Sequence, residues 1–240
     1  MNARRRVDHE AAFVLHSYPY KETSLIIEAF SHRHGRVALM ARGARRPRSA
    51  LRGVLHAFQP LRLSWSGSGE LSTLVQAEWQ GGFPFLSGFG LMCGFYLNEL
   101  ILRLVPREDP HEGLFDAYQR CIQGLGLLNQ TAATLREFER SLLSELGYAM
   151  QLQQDAQNGE PIDPAEQYRY DPDLGPVRAR ESDVGDLVVR GQTLLDLGQN
   201  VFSDTRSMTE SRDLMRALIA TKLHGQPLHT RHVLMELQDL

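Results

Sequence analysis

The sequence predicts an α+β protein: five short strands near the N-terminus, enough for a small barrel, followed by a mostly helical remainder. Three observations carry this. First, between residues 11 and 79 short apolar segments rich in β-branched residues alternate with Gly, Pro and Ser turn signals. Second, near Gly81 the apolar spacing changes from a strand period to a helical one. Third, the charge is divided. Residues 1–62 hold twelve Lys or Arg against four acids, a balance of +8, and the rest carries −11, although the 240-residue chain sums to only −3. A basic end on a slightly acidic protein points to a polyanion.

The strands follow in order. AAFVLHS, from Ala11, is the first, and YPYKE with Pro19 reads as a polar turn. Residues 23–30, TSLIIEAF, form the second strand. SHRHG then reverses the chain, with Gly35 placed for positive φ. Residues 36–42, RVALMAR, are the third. Residues 58–65, FQPLRLSW, alternate imperfectly, and Pro60 favours a strand start or an edge. SGSG at 66–69 reads as a hairpin turn, and LSTLVQAEW as the fifth strand. A five-stranded, partly open barrel is one solution for such a set, although periodicity does not select it.

Helices dominate from GGFPFLSGFG onward. Residues 91–105, 114–125 and 131–147 each space apolar side chains by three and four. Thr131 or Thr134 can cap the last of these, and Gly147 can end it. From Met150 to Gly191 the chain is polar and rich in Pro, Gly and Asp, long for a structureless loop. A small hairpin or irregular module is expected around YRYDPDLGPVRAR. Helix returns from Ser207 and again in PLHTRHVLMELQDL. The domain division expected is 1–80 and 81–240, with an irregular insert around 150–190.

The composition excludes several classes. Apolar residues at 42% and charged residues at 23% describe a folded chain. No apolar run has the length of a membrane span, and no apolar stretch follows the N-terminal arginines as in a signal peptide. A cytoplasmic protein is expected. Cys93 and Cys121 lie in apolar helical patterns and read as buried thiols. There is no phosphate-loop pattern, no glycine fingerprint and no nucleophile elbow. His32 and His34 flank a turn, His111 lies in a loop, and His224, His229 and His232 have no cysteine beside them, so no zinc ligand set is assembled. Asp171 and Asp173 read as turn residues. No metal, cofactor or enzymatic activity is expected.

The stretch MARGARRPRSALR, Met40 to Arg52, is the sharpest feature. It holds five arginines and no acid. Phosphate contacts need such charge and little sequence specificity, and guanidinium offers phosphate oxygens a fork of donors. Gly43 and Pro47 argue against a regular helix and for an adaptable loop. Arg4, Arg5 and Arg6 form a second cluster, and Arg33 and Arg36 join across the turn at Gly35. Tyr18, Tyr20, Phe58 and Trp65 are candidates for stacking on bases, each with core packing as the plainer alternative. Arg136 and Arg140 share a helix face at i and i+4, either as a solvated stripe or as a site for an acidic peptide end.

Taken together, the ordered segments AFVLHSYPYKETSLIIEAFSHRHGRVALMARGARRPRSALRG, FQPLRL, YLNELILRL, LREFERSLLSELGY, GEPID with YRY, and GQPLHTR resemble the RecO family of bacterial recombination mediators, over residues of about 8 to 235. The resemblance implies an OB-type barrel followed by a mostly helical domain. It implies ATP-independent binding of single- and double-stranded DNA, annealing of complementary strands, and work with RecR and the single-stranded DNA-binding protein SSB to load RecA. Carried onto this chain, it implies DNA binding by the barrel with Arg36, Arg42, Arg45, Arg46, Arg48 and Arg52. It implies binding of the SSB C-terminal tail by Arg136, with Arg140 as a helper and Leu135, Phe138 and Leu142 lining or supporting the pocket. The chain departs from many members in one respect: QLQQDAQNGEPID, residues 151–163, lacks the cysteines of their zinc module, so packing and hydrogen bonds must support that region. Two other readings compete: a generic OB-type binder of single-stranded nucleic acid, and a protein-interaction adaptor whose basic patch meets an acidic partner.

Overall fold

A computed structural model describes residues 5–67, 69–126, 131–180, 183 and 187–230. The chain forms two compact units, one of Met1–Leu128 with Leu228–Leu240, the other of Asn129–Pro227.

The first unit contains a closed barrel in the order β1-β2-β3-β5-β4, from β1 (Arg5–Tyr20), β2 (Ser24–Ser31), β3 (Gly35–Ala41), β4 (Leu61–Gly67) and β5 (Leu71–Trp79). All pairings are antiparallel except β3 with β5, where Ala38 faces Leu71 and Met40 faces Thr73. This is the five-stranded barrel the sequence predicts. The first strand is longer than expected, because YPY continues it rather than turning. Its Arg5–Ala12 half pairs with β4, while Tyr18–Tyr20 pair with β2 alone, so the donor Pro19 lacks is not needed by a second neighbour. Ala12, Val14, Ile27, Ala29, Leu39, Leu61, Leu63 and Trp65 fill the barrel.

The hairpin β1–β2 is buried on its outer face as well. Phe13 and Phe30 are cross-strand partners, 1% and 0% exposed, and point away from that core. They pack on Phe115 and Tyr118 of α2 (Glu112–Leu125), with centroids 5.1 to 6.1 Å apart. In α1 (Gly88–Leu104), Asn98 donates to the Leu15 carbonyl at 2.7 Å and accepts from the Tyr118 hydroxyl at 2.6 Å. Both helices therefore lie in the same compact unit as the barrel. Gly35 shows how close the contact is. Its φ is +63°, and a Cβ there would stand 2.0 Å from the Asp109 carbonyl oxygen.

The second unit contains α3 (Thr131–Glu145), a small sheet in the order β7-β6-β8 from β6 (Gln167–Asp171), β7 (Gly175–Arg178) and β8 (Val188–Arg190), then α4 (Gly191–Gln199) and α5 (Thr205–Lys222). The expected hairpin is β6–β7. The three-residue β8 and the nine-residue α4 are additional to the expected elements. Residues 151–163 are organised by a carboxylate. Asp155, 5% exposed, accepts from the backbone N–H groups of Gln157 at 2.8 Å and Asn158 at 3.4 Å, and from Arg178 at 2.9 Å. Its own N–H donates to the Glu160 carbonyl, and its carbonyl accepts from Gly159. One side chain thus fastens a tight turn to β7. Asp204 caps α5 by accepting from Ser207 N–H at 2.6 Å. No helix among the described residues is long and apolar enough to cross a membrane.

Gly35→Ala should destabilise the first unit by at least about 2 kcal/mol, through left-handed strain and forced separation from Asp109. Urea denaturation measures this; a loss within 0.5 kcal/mol, roughly that of an ordinary surface change, would contradict the tight contact.

Candidate nucleic-acid interface

The basic stretch begins where β3 ends and is held by alternating anchors. Arg42 is exposed. Gly43 takes a φ of +68°, and the chain turns so that Ala44 enters the barrel core at 1% exposure. Arg45 N–H donates to the Thr23 carbonyl at 2.9 Å, and its guanidinium reaches the Lys21 and Glu22 carbonyls at 3.4 and 3.3 Å. That ties the stretch to the β1–β2 turn. Arg46 N–H returns to the Gly43 carbonyl and Ser49 N–H to Arg46, then the 3-10 helix Ala50–Gly53 follows. Leu51, Val54 and Leu55 pack against the barrel core. The segment is an ordered cap on the barrel, not a free loop.

With its apolar residues turned inward, the cap presents Arg42, Arg45, Arg46, Arg48 and Arg52 outward, all exposed. Lys21 is exposed in the adjoining turn, and its ammonium lies 5.5 Å from the centre of the Tyr20 ring. Among the described residues none of these six side chains forms an ion pair with a carboxylate. Many arginines elsewhere are matched to carboxylates. Arg6 pairs with Asp8, Arg33 with Glu10, Arg107 with Glu28, Arg136 with Glu139, and Arg190 with Asp204 and Glu210. Unmatched guanidinium groups on one surface are available to external phosphates. Lys21 was legible only in the charge balance; its place beside the patch depends on the Arg45 hydrogen bonds.

Arg36 stands apart. It is half-buried and donates to the Leu102 carbonyl at 2.5 Å, with Nε lacking an acceptor among the described residues. Burial lowers its pKa from the usual arginine value; Glu28 opposes the shift and Arg107 adds to it. It therefore belongs to the contact between the β2–β3 hairpin and the α1–α2 region. Tyr18 is also tied there, donating to Glu28 at 3.1 Å, and burial followed by the Glu28 charge raises its pKa. Of the other stacking candidates, Phe58 and Trp65 are core residues at 4% and 5% exposure. Arg6 is exposed and paired with Asp8, whereas Arg4 and the Arg5 side chain lie outside the described residues.

In the second unit, the Arg136–Arg140 face is not a solvated stripe. Arg136 is 8% exposed and donates to Glu139, itself 1% exposed, at 2.6 Å. Phe138 and Leu142 are fully buried, and Leu135 is half-buried. Arg140 is half-buried, donates to the Leu197 carbonyl, and has its pKa lowered by burial with Glu137 opposing. Phe138 and Leu142 are thus core rather than lining of an open pocket. A separate cleft of about 200 Å³ in this unit is bordered by Leu143, Tyr148, Tyr170, Leu174 and Lys222, whose ammonium lies 3.3 Å from the centre of the Tyr148 ring. Among the described residues no cluster of His, Cys, Asp and Glu could hold a metal ion.

Comparison with known proteins places this arrangement. The family described as Recombination protein O N terminal matches residues 6–83, and that described as Recombination protein O C terminal matches residues 87–231. The chain is similar to the DNA repair protein RecO of Aromatoleum aromaticum, 53% identical over 240 residues and 100% of both chains. It is similar to that of Dechloromonas aromatica, 51% identical over 245 residues and 100% of both. With that of Ralstonia nicotianae it shares 53% identity over 239 residues, 99% of this chain and 88% of the relative.

Glu139→Ala should cost about 3–5 kcal/mol, because it leaves the Arg136 guanidinium buried and unpaired. Chemical denaturation would show it; a change under about 1 kcal/mol would place Arg136 in solvent, where exposed pairs contribute that little.

Proposed function

Because the chain belongs to the RecO family of DNA repair proteins, we propose that its barrel cap is the surface that binds single- and double-stranded DNA and brings complementary strands together. The protein is a non-catalytic mediator of recombinational repair. One observation carries the assignment to the cap: among the described residues, Arg42, Arg45, Arg46, Arg48 and Arg52, with Lys21, face solvent without carboxylate partners, while many of the other arginines are matched.

Annealing requires no bond chemistry. Two strands repel through their phosphates, and a basic surface reduces that repulsion while raising each strand's effective concentration near the other. The contacts must leave base edges free, and phosphate-directed guanidinium groups do so. The cap is pinned by Ala44, Arg45 and Leu51, so the charge is held in place before DNA arrives and little ordering entropy opposes binding.

The partners fit the same scheme. We place RecR and the SSB C-terminal tail among this chain's partners, and loading of RecA on SSB-coated DNA as the outcome. For the tail, Arg140 and Leu135 are half-buried and within reach of a ligand, whereas Arg136 supports the helix from inside through Glu139. An incoming carboxylate pairs with guanidinium while an apolar pocket takes a terminal ring.

Two measurements test the reading. Replacing Arg42, Arg46 and Arg48 together by Ala should reduce the slope of log affinity against log salt for single-stranded DNA by about 2, since each lost phosphate contact removes roughly 0.7. Replacing Arg36 by Ala should leave that slope unchanged and lower stability instead. In a fluorescence annealing assay with naked and SSB-coated complementary oligonucleotides, the wild type should accelerate pairing of both, and the triple variant neither. Annealing that survives the triple variant would move the DNA surface away from the cap.

A further inference from the structure

The rim of the barrel carries a second feature, which neither the basic cap nor the family assignment explains. Ser64 faces Gln76 but Trp65 faces Leu74, so β5 holds one extra residue, Val75, opposite β4. A bulge of this kind re-aims the side chains beyond it. After it, Ala77 and Trp79 are the partners of the inward-facing Leu63 and Leu61. Ala77 packs on the core with Leu51, Val54 and Leu55 of the cap. Trp79, one step further, passes the edge of the core and is 55% exposed. An indole that belongs by register to the inward face has been brought out at the end of the barrel where the cap sits.

Its position is fixed by the segment leading from the cap to β4. The indole Nε1–H donates to Gln59 Oε1 at 3.0 Å, and Gln80 N–H donates to the Pro60 carbonyl at 2.9 Å. An indole nitrogen can only donate, so the orientation of the Gln59 amide is settled: oxygen toward Trp79, Nε2 away. Gln59 is 2% exposed, and its Nε2 has no acceptor among the described residues. The preceding residue, Phe58, takes a φ of +66°, a conformation bulky residues rarely adopt, and its ring is locked at 5.1 Å from Phe95. Backbone strain, a buried unmatched donor and a pinned, exposed ring meet at one place. Strained backbone clusters at ligand sites, and a buried unmatched donor calls for an explanation.

We propose that Trp79 is a stacking platform for an unpaired nucleobase, with Gln59 as its positioning residue. This rests on the DNA-binding role of the cap. The ligand chemistry follows from the site. A flat exposed indole takes a flat ring, and every base offers one. Stacking is sequence-tolerant, and it is denied to a base held inside a duplex. Trp79 therefore gives the surface a preference for single strands, and releases a base as it pairs.

The test uses the full-length protein with a single-stranded thymidine oligonucleotide, an abasic phosphodiester strand of equal length and a duplex. The wild type should bind the thymidine strand about tenfold or more tighter than the abasic one, the range expected for one stacked base. Trp79→Ala should lose that margin, bind both single strands alike, and keep wild-type affinity for duplex and an unchanged salt slope. Trp79→Phe should keep part of the margin. Tryptophan fluorescence gives a second reading: with Trp65 buried, quenching by the thymidine strand should vanish in Trp79→Phe. Equal loss for both single strands, or no loss and no quenching, overturns the stacking role while leaving the cap's role intact. A wild type that binds none of the three defeats the DNA-binding reading itself.

Discussion

The constraint on which the first unit depends is that the hairpin β1–β2 is apolar on both faces. Ala12, Val14, Ile27 and Ala29 must enter the barrel, so Phe13 and Phe30 cannot. Two phenylalanines left outside would expose several hundred Å² of aromatic surface, and covering them is worth about 1.5–3 kcal/mol each. Phe115 and Tyr118 supply the cover. This brings the α1–α2 connection down on the β2–β3 turn, where a side chain at Gly35 would not fit and where Glu28, Tyr18, Arg36 and Arg107 are drawn into one partly buried polar group. The helix pair is thus a consequence of the barrel's own hydrophobic pattern.

Covering that side determines where the barrel can act. The outer face of the β1–β2 hairpin and the Arg36 side chain of β3 are committed to holding α1 and α2. The end bearing the β3–β4 connection is closed differently, by Ala44, Leu51, Val54 and Leu55. These anchors are small and spaced, so the polar residues between them have no choice but to face solvent. MARGARRPRSALR is therefore an amphipathic plug without regular helical period. Its apolar minority fixes the backbone, and its arginines inherit a surface position from that.

Much of this was legible in the sequence. The five strands follow from β-branched runs between turn residues, and the helices from three-and-four spacing. What could not be read were relations between distant residues. Pro19 looked like a turn because its missing donor matters only if the strand has a second neighbour there, which is a property of the barrel. Val75 is unremarkable in LSTLVQAEW until the register with β4 shows it to be extra, and only then does Trp79 become a rim residue. Arg36 resembled the other arginines because its acceptor, Leu102 O, lies 66 residues away. Arg136 was the avoidable case. Glu139 at i+3 is an obvious partner, and a pair bracketing the core residue Phe138 is more readily buried than a solvated stripe.

The sorting of arginines bears on mechanism. A guanidinium already matched to a carboxylate gives a phosphate little, because the new contact must replace an equal one. Arg6, Arg33 and Arg107 are matched in this way, by Asp8, Glu10 and Glu28. Three of the four acids in the basic first quarter are thus used to neutralise arginines that lie away from the cap. The fourth, Glu22, meets Arg45 through its backbone carbonyl rather than its carboxylate. Among the described residues, six cations without carboxylate partners thereby gather at the cap, with Arg62 exposed on β4 held by the His9 carbonyl. A mediator needs this economy: enough unmatched charge at one end to overcome repulsion between strands, and not so much elsewhere that DNA is held in registers where it cannot pair.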